Sequence, residues 1–86
     1  MTSTDPYEHT PTAMVCDYFF ETANDLIGLY VHRCDTATDP EARERWWQHA
    51  LAIRDARRAV DPYDRQALVQ QMASWKQEIE SLRAAQ

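Results

Sequence analysis

Gly28 is the only glycine among the 86 residues of the chain, and this scarcity limits the folds that the chain can adopt. Proteins built from β-sheets place glycines in hairpin turns, where the backbone needs a positive φ. A chain with a single glycine therefore favours an all-helical fold. At this length there is room for one small domain and no room for a second hydrophobic core.

Asp-Pro pairs divide the chain at three points, namely Asp5-Pro6, Asp39-Pro40 and Asp61-Pro62. An aspartate at the N-cap accepts hydrogen bonds from the first-turn amides, and a proline at the first helical position leaves no amide unpaired. The second and third pairs precede long periodic segments, so we expect helices over residues 40–60 and 62–84. The first pair lies in a tail of residues 1–10, which contains several Thr and Pro residues and which we expect to be mostly irregular.

Apolar residues recur every three or four positions in three segments, as one face of an α-helix requires. The first segment predicts a helix over residues 11–34, with Thr10 as its N-cap. The expected core positions are Val15, Phe19, Ala23, Leu26, Ile27, Tyr30 and Cys34, then Ala42, Trp46, Ala50, Ile53, Ala56 and Val60, then Leu68, Met72, Trp75, Ile79 and Leu82. Short connections favour antiparallel neighbours. The sequence thus predicts an all-α, antiparallel up-down-up three-helix bundle, with residues 11–84 as a single domain.

Residues that could carry catalysis or bind a metal are scattered along the chain. Cys16 and Cys34 lie on one predicted helix, ~27 Å apart, so they cannot form a disulfide with each other. We expect two free, buried thiols in a reducing compartment, with pairing between chains as the alternative. The histidines have no partner at metal-ligand spacing, and no serine has a glycine-rich elbow or a neighbouring base. We therefore expect no enzymatic activity, no catalytic residue, no metal and no cofactor.

The charge and hydropathy of the chain narrow the classes of partner. No apolar run is long enough to span a membrane, and the first residues lack the pattern of a signal peptide, so we expect a cytoplasmic protein without membrane contact. The formal net charge of −5 makes nucleic acid an unlikely main partner. One basic cluster consists of Arg54, Arg57 and Arg58, with Arg43 and Arg45 upstream. Three acids, Glu41, Glu44 and Asp55, are interleaved at spacings that allow ion pairs along the helix. We interpret this cluster as a solvated face, with DNA or an acidic neighbour as alternative contacts.

Negative charge is concentrated in residues 1–40, which contain seven acids and one base, Arg33. Opposite the core positions, the first predicted helix carries a surface that we call its outer face: Met14, Asp17, Tyr18, Glu21, Asp25 and Gly28. Methionine and tyrosine beside carboxylates, with a glycine among them, are suited to docking on a basic, partly apolar groove. The alternative is a solvated acidic face on which Gly28 eases helix packing. Aromatic residues outside the core positions also favour a protein interface.

The passage from the second helix to the third carries a resemblance to a known family. It consists of residues 50–61, Ala-Leu-Ala-Ile-Arg-Asp-Ala-Arg-Arg-Ala-Val-Asp, followed by Leu68, Met72, Trp75 and Leu82. In the order and spacing of its helices and apolar positions, the chain over residues 13–83 resembles the epsilon antitoxins of the epsilon/zeta toxin–antitoxin systems. The tail before Pro11 departs from that pattern.

This resemblance implies a protein-binding function. The partner would be a zeta-type toxin, a P-loop kinase that phosphorylates a nucleotide-activated amino sugar used in cell-wall synthesis. The N-terminal helix of the antitoxin would lie over the nucleotide site and block it. A phosphate-binding cleft is positively polarised, so an acidic helix could place carboxylates where phosphates bind. The alternatives are a helical adaptor or assembly protein that forms homo- or hetero-oligomers, a DNA-binding regulator that uses the cluster at 54–58, and a metal-dependent helical enzyme.

Overall fold

The helices α1 (Thr12–Thr36), α2 (Pro40–Ala59) and α3 (Arg65–Ala84) make up most of the computed structural model, which describes residues 6–85. The described residues contain no β-strand. The predicted all-α three-helix bundle is therefore confirmed. Of the predicted tail, residues 1–5, including Asp5, lie outside the described residues.

Contacts along α1 set the direction of the other two helices. Near the start of α2, Trp46 stacks on Tyr30, and near its end Arg57 reaches back to Asn24, so α2 runs antiparallel to α1. The helix α3 follows α1 in the same direction: its residues 65 and 82 meet residues 12 and 33 of α1 in that order. Both helices pack on α1, and in the described part the backbones of α2 and α3 do not contact each other. The helix α1 is therefore the central helix.

The hydrophobic core consists of residues from the three predicted apolar stripes. Phe19 and Trp75 lie against each other, with their ring centroids 5.0 Å apart, and both are almost fully buried. The buried apolar residues are Val15, Phe19, Ala23, Leu26, Tyr30, Ala50, Ile53, Leu68, Met72, Trp75 and Ile79. Each of them was expected in the core, because the 3.6-residue period fixes which side of a helix faces its neighbours.

The start of α2 follows the predicted capping pattern. Asp39 is the N-cap and accepts a hydrogen bond at 3.3 Å from the amide of Glu41, and Pro40 is the first helical residue. This arrangement confirms the expectation from the second Asp-Pro pair.

The predicted start of α3 at the third Asp-Pro pair is wrong. The helix begins at Arg65, and its N-cap is Asp64, whose carboxylate accepts from the amide of Ala67 at 3.1 Å. Asp61 instead accepts from the amide of Tyr63 at 2.9 Å and closes a turn. An aspartate that bonds to the amide two residues on stabilises such a turn, and the chain needs one here to leave α2 and start α3. Two aspartates three residues apart thus have different roles: Asp61 closes the turn and Asp64 caps α3.

The expected cap of α1 is also wrong. Pro11 is the N-cap and makes no side-chain capping bond, and the amide of Thr10 donates to the carbonyl of Tyr7 at 2.8 Å in a preceding turn. Thr10 is engaged in that turn and therefore does not cap the helix. At its other end α1 continues to Thr36, two residues beyond the expected end, and the Thr36 hydroxyl donates to the carbonyl of His32 at 3.0 Å.

The cysteines are free, as expected, but they are half-buried rather than buried. Cys16 packs against the edge of the hydrophobic core. Within residues 6–85, no group of three or more potential ligand side chains is arranged to hold a metal ion. None of the helices in this range combines the length and the apolar character that a membrane span requires.

Candidate protein-binding surface

The outer face of α1 remains largely uncovered in the folded chain. Met14 is 45% exposed, and Asp17, Glu21, Asp25 and Gly28 are exposed as well. These residues lie opposite the core positions of α1, and they stay exposed, although Lys76 and Arg83 of α3 line depressions beside Asp25. The three carboxylates follow each other at intervals of four residues, so they form a row with a spacing of ~6 Å along the helix.

Within residues 6–85, nothing in the fold explains the glycine at position 28. A Cβ atom built at this position would have no neighbouring atom within 4 Å, and the glycine has no positive φ. Close packing of α1 against another helix of the bundle therefore does not require a glycine here. In a helix interior, glycine is about 1 kcal/mol less favourable than alanine.

Tyr18 differs from the rest of the outer face because the N-terminal segment covers it. It is half-buried, and the ring of Tyr7 lies 5.9 Å from its own ring. Lys76 of α3 donates to the Tyr7 hydroxyl at 2.6 Å, and its ammonium lies 5.3 Å from the centre of the Tyr7 ring. The three side chains form the edge of a shallow depression that also includes Glu21, Thr22 and Asp25.

Arg65 holds the same segment against the start of α3. Its guanidinium donates to the carbonyl of Thr10 at 2.6 Å, to the hydroxyl of Thr12 at 3.4 Å and to the carbonyl of Tyr7. Residues 6–10 are thus held by α3 rather than extending away from the bundle. Neither Arg65 nor Lys76 was expected at the surface formed by α1 and the tail. The one feature of the sequence that sets Lys76 apart is that it is the only lysine.

A groove of about 200 Å³ lies between α1 and α2, beside the outer face. Asn24, Ile27 and Val31 form its α1 wall, and its α2 wall contains Trp47, Ala50, Leu51, Arg54 and Arg57. Trp47 is 44% exposed, so a large aromatic surface remains open at one end of the groove. Most of the other lining side chains are aliphatic.

The predicted arginine cluster lies at the other end of this groove. Arg57 donates to the side chain of Asn24, and Arg54 forms an ion pair with Asp55 at 3.4 Å, whereas Arg58 is exposed. Among the described residues, Glu41 and Glu44 form no ion pair with any arginine, so the expected pairing along α2 is limited to Arg54–Asp55. The cluster is thus partly engaged within the chain and partly open to solvent.

A second cluster connects the three helices near the end of α1. The ring of Tyr30 stacks on those of His49, at 5.0 Å, and Trp46, at 5.9 Å, and its hydroxyl donates to Glu78. Burial and the neighbouring carboxylate both raise the pKa of Tyr30 well above its usual value of 10.0, so the hydroxyl stays protonated. Arg33 lies over the Trp46 ring at 5.5 Å. The cluster joins α1 to α2 through ring stacking and joins α1 to α3 through the Tyr30–Glu78 hydrogen bond.

Comparison with protein-family models, with curated proteins and with solved structures finds no match.

Proposed function

We propose that this chain is a protein-binding antitoxin that neutralises a zeta-type P-loop kinase by laying the outer face of α1 over the nucleotide site of the kinase. The observation that carries this proposal is the open outer face itself. It presents a row of carboxylates together with a glycine that no contact among the described residues requires. The resemblance to the epsilon antitoxins supplies the class of partner.

Electrostatics supports a basic cleft as the complement of this face. Asp17, Glu21 and Asp25 are exposed, and no lysine or arginine lies on α1 within four residues of any of them. Lys76 of α3 lines the same depression as Glu21 and Asp25, and Asp17 lines neither that depression nor the adjacent one. A P-loop cleft holds phosphates with backbone amides, a lysine and a helix N-terminus, and carboxylates can accept from the same donors. The missing side chain at Gly28 lets the wall of such a cleft approach the helix backbone closely.

The proposal is tested by measuring phosphorylation of a nucleotide-activated amino sugar by a purified zeta-type kinase, with increasing amounts of the chain. We expect stoichiometric inhibition by the wild-type chain. Glu21→Lys combined with Asp25→Lys should raise the inhibitory concentration at least ~10-fold, equivalent to ~1.4 kcal/mol. Circular dichroism should show unchanged helicity, because both side chains are exposed.

The matched control is Glu41→Lys combined with Glu44→Lys, which changes the net charge equally on exposed positions of α2. This control should inhibit like the wild type. An equal loss of inhibition in both double variants would mean that inhibition depends on net charge and not on the position of the acids. Unchanged inhibition by the Glu21/Asp25 variant would contradict the acidic-helix mechanism.

The groove between α1 and α2 favours a second candidate, a helical adaptor or assembly protein. Its open Trp47 and aliphatic walls offer the kind of surface on which another helix packs. An adaptor would bind its partner through the groove and leave the kinase uninhibited. Trp47→Ala distinguishes the two candidates, because it should weaken adaptor binding and leave the kinase assay unchanged.

A further inference from the structure

Two stripes of regularly spaced side chains border the groove between α1 and α2. On α1 the stripe continues one turn beyond the groove to Phe20, which is 40% exposed, and on α2 it continues to the exposed Arg58. Both stripes advance by four, three and four residues: Phe20, Asn24, Ile27 and Val31 on α1, and Trp47, Leu51, Arg54 and Arg58 on α2. Side chains with this spacing are those through which one helix packs lengthwise against another.

The groove also has the shape that a helix requires. Its α1 wall extends from Asn24 to Val31 and its α2 wall from Trp47 to Arg57, so it follows the helix axes for ~10–15 Å, which is two to three helical turns. Most of its walls are aliphatic, and neither α3 nor residues 6–10 line it. An elongated apolar groove of this kind binds an amphipathic helix through side chains at i, i+3 or i+4 and i+7.

The charge of the groove favours an acidic helix. The residues that line it include two arginines and no acid. Arg54 and Arg58 lie one turn apart on α2, at the end of the groove away from Trp47, and we call this pair the arginine rim. The Arg54 side chain is 42% exposed, and within the described residues its buried Nε–H has no acceptor. An unpaired buried donor is unfavourable, and a carboxylate is the acceptor that a guanidinium binds most strongly.

We infer that the groove binds an acidic amphipathic helix of another protein, with apolar side chains against Trp47 and Leu51 and with carboxylates on the arginine rim. Trp47 and Arg54 are seven residues apart, or two turns, so the bound helix has an apolar anchor and an acid seven residues apart. This inference rests on the adaptor candidate, for which it names the kind of partner, and it does not depend on the kinase.

A helix suits this groove better than nucleic acid does. The chain as a whole carries a formal net charge of −5, which repels an extended polyanion. A helix places only a few carboxylates, and places them at the arginine rim, while its apolar side chains cover the aliphatic walls and Trp47. The two ends of the groove thus require different side chains from the same partner.

The test uses designed peptides of three heptads, kept helical by a side-chain cross-link on the face that points away from the groove. The acidic peptide has leucine at the groove-facing positions of two heptads and glutamate at those of the third heptad. The basic peptide is identical except that lysine replaces glutamate. Because the groove fits a helix in either direction, both peptides are also made with the charged heptad at the other end. Fluorescence anisotropy of the labelled peptides gives the Kd.

The wild-type chain should bind the acidic peptide with a micromolar Kd and the basic peptide at least ~10-fold more weakly. Arg54→Glu combined with Arg58→Glu should reverse this preference, because the rim then attracts lysine and repels glutamate. Trp47→Ala should weaken the binding of both peptides by a similar factor of ~10, because it removes the apolar anchor and leaves the rim unchanged.

The matched control is Arg45→Glu combined with Arg83→Glu, which changes the net charge equally at exposed positions away from the groove. This control should bind both peptides like the wild type. Circular dichroism checks that each variant is folded. If the reversal at the rim lowers the helicity, Arg54→Gln combined with Arg58→Gln takes its place and should bind both peptides equally.

Five results would overturn the inference. Three of them come from the peptides: no binding of either peptide up to about 200 μM, a preference of the wild type for the basic peptide, or a preference for the acidic peptide that survives the reversal. The other two identify a different occupant of the groove. These are a dimer of the chain, seen by sedimentation equilibrium, that the acidic peptide dissociates, and a DNA duplex that displaces the acidic peptide.

The kinase assay separates this inference from the antitoxin proposal. The variant with Arg54→Glu and Arg58→Glu keeps its outer face, so it should inhibit the kinase like the wild type. A chain that inhibits the kinase but binds neither peptide would overturn the inference alone. A chain that binds the acidic peptide with the expected charge preference, but does not inhibit the kinase, would overturn the antitoxin proposal alone.

Discussion

Replacing Gly28 by alanine is expected to stabilise the isolated chain, although it alters the face that we assign to binding. The residue lies within α1, eight residues from its C-terminal end, and it is exposed. A Cβ at this position meets no atom within 4 Å, and the backbone has no positive φ that alanine would resist. Neither a clash nor backbone strain opposes the substitution.

The expected gain follows from helix propensity. Alanine in a helix interior is favoured over glycine by about 0.8–1.0 kcal/mol, partly because glycine has more freedom to lose from the unfolded chain. The full difference should be realised here, since nothing has to move. For a domain of this size, a gain of about 1 kcal/mol corresponds to a rise of roughly 4–8 °C in Tm.

Urea and thermal unfolding followed by circular dichroism measure this gain. The matched control is Ala73→Gly, an exposed position in the middle of α3, which should lose a similar amount. Measurements at a concentration well below the Kd of any dimer keep self-association out of the comparison. A destabilised Gly28→Ala chain would show that the glycine has a folding role, and the reasoning would then be refuted.

Five further substitutions have defined outcomes. Trp75→Ala should lower the free energy of unfolding by ~3–5 kcal/mol and leave little folded chain at 25 °C by circular dichroism, because the Trp75 side chain is only 2% exposed. Trp47→Ala should lower it by less than half as much, because the Trp47 side chain is 44% exposed. Asp64→Ala removes the true cap of α3 and should cost ~1 kcal/mol in urea unfolding. Tyr30→Phe should cost about 1 kcal/mol at neutral pH. Because folding raises the pKa of Tyr30, the hydroxyl contributes to the free energy of unfolding below pH 10, and this contribution declines as the pH rises above 10. Urea unfolding at a series of pH values above and below 10 should show the decline in the wild type and not in Tyr30→Phe. Glu21→Lys should stabilise the free chain by up to ~1 kcal/mol at low salt, with a smaller gain at high salt, while it weakens inhibition of the kinase.

The hydrophobic core could be predicted from the sequence because its determinant is local. A side chain such as Phe19 or Trp75 faces inward when its neighbours at three and four residues are apolar too, and this period is visible without any knowledge of the fold. The buried apolar residues accordingly come from the three stripes. Thr22, which the pattern did not place in the core, is buried as well, and its hydroxyl donates to the carbonyl of Tyr18 at 2.8 Å. The half-buried thiols of Cys16 and Cys34 show the limit of this argument, because the width of the buried stripe depends on how α2 and α3 cover α1.

The start of α3 could not be predicted because aspartate supports two local structures. Asp61 followed by proline fits an N-cap as well as a turn, and the choice depends on the angle through which the chain must turn between α2 and α3. The contacts of Arg65 and Lys76 with the tail were missed for a related reason. They join residues more than fifty positions apart, and no pattern within one helix encodes them.

The composition of the outer face of α1 favours interaction over folding. Asp17, Glu21 and Asp25 are like charges at intervals of four, and each such pair costs a helix about 0.2–0.5 kcal/mol. Gly28 adds about 1 kcal/mol of lost propensity at a position where no atom of the bundle approaches. A helix that served only to fill the centre of the bundle could carry alanine and lysine at these positions with a gain in stability. These residues, which are unfavourable for the isolated helix, lie together on the outer face of α1. A binding partner with basic residues would remove the repulsion between the carboxylates. The same partner could approach the helix backbone closely at Gly28.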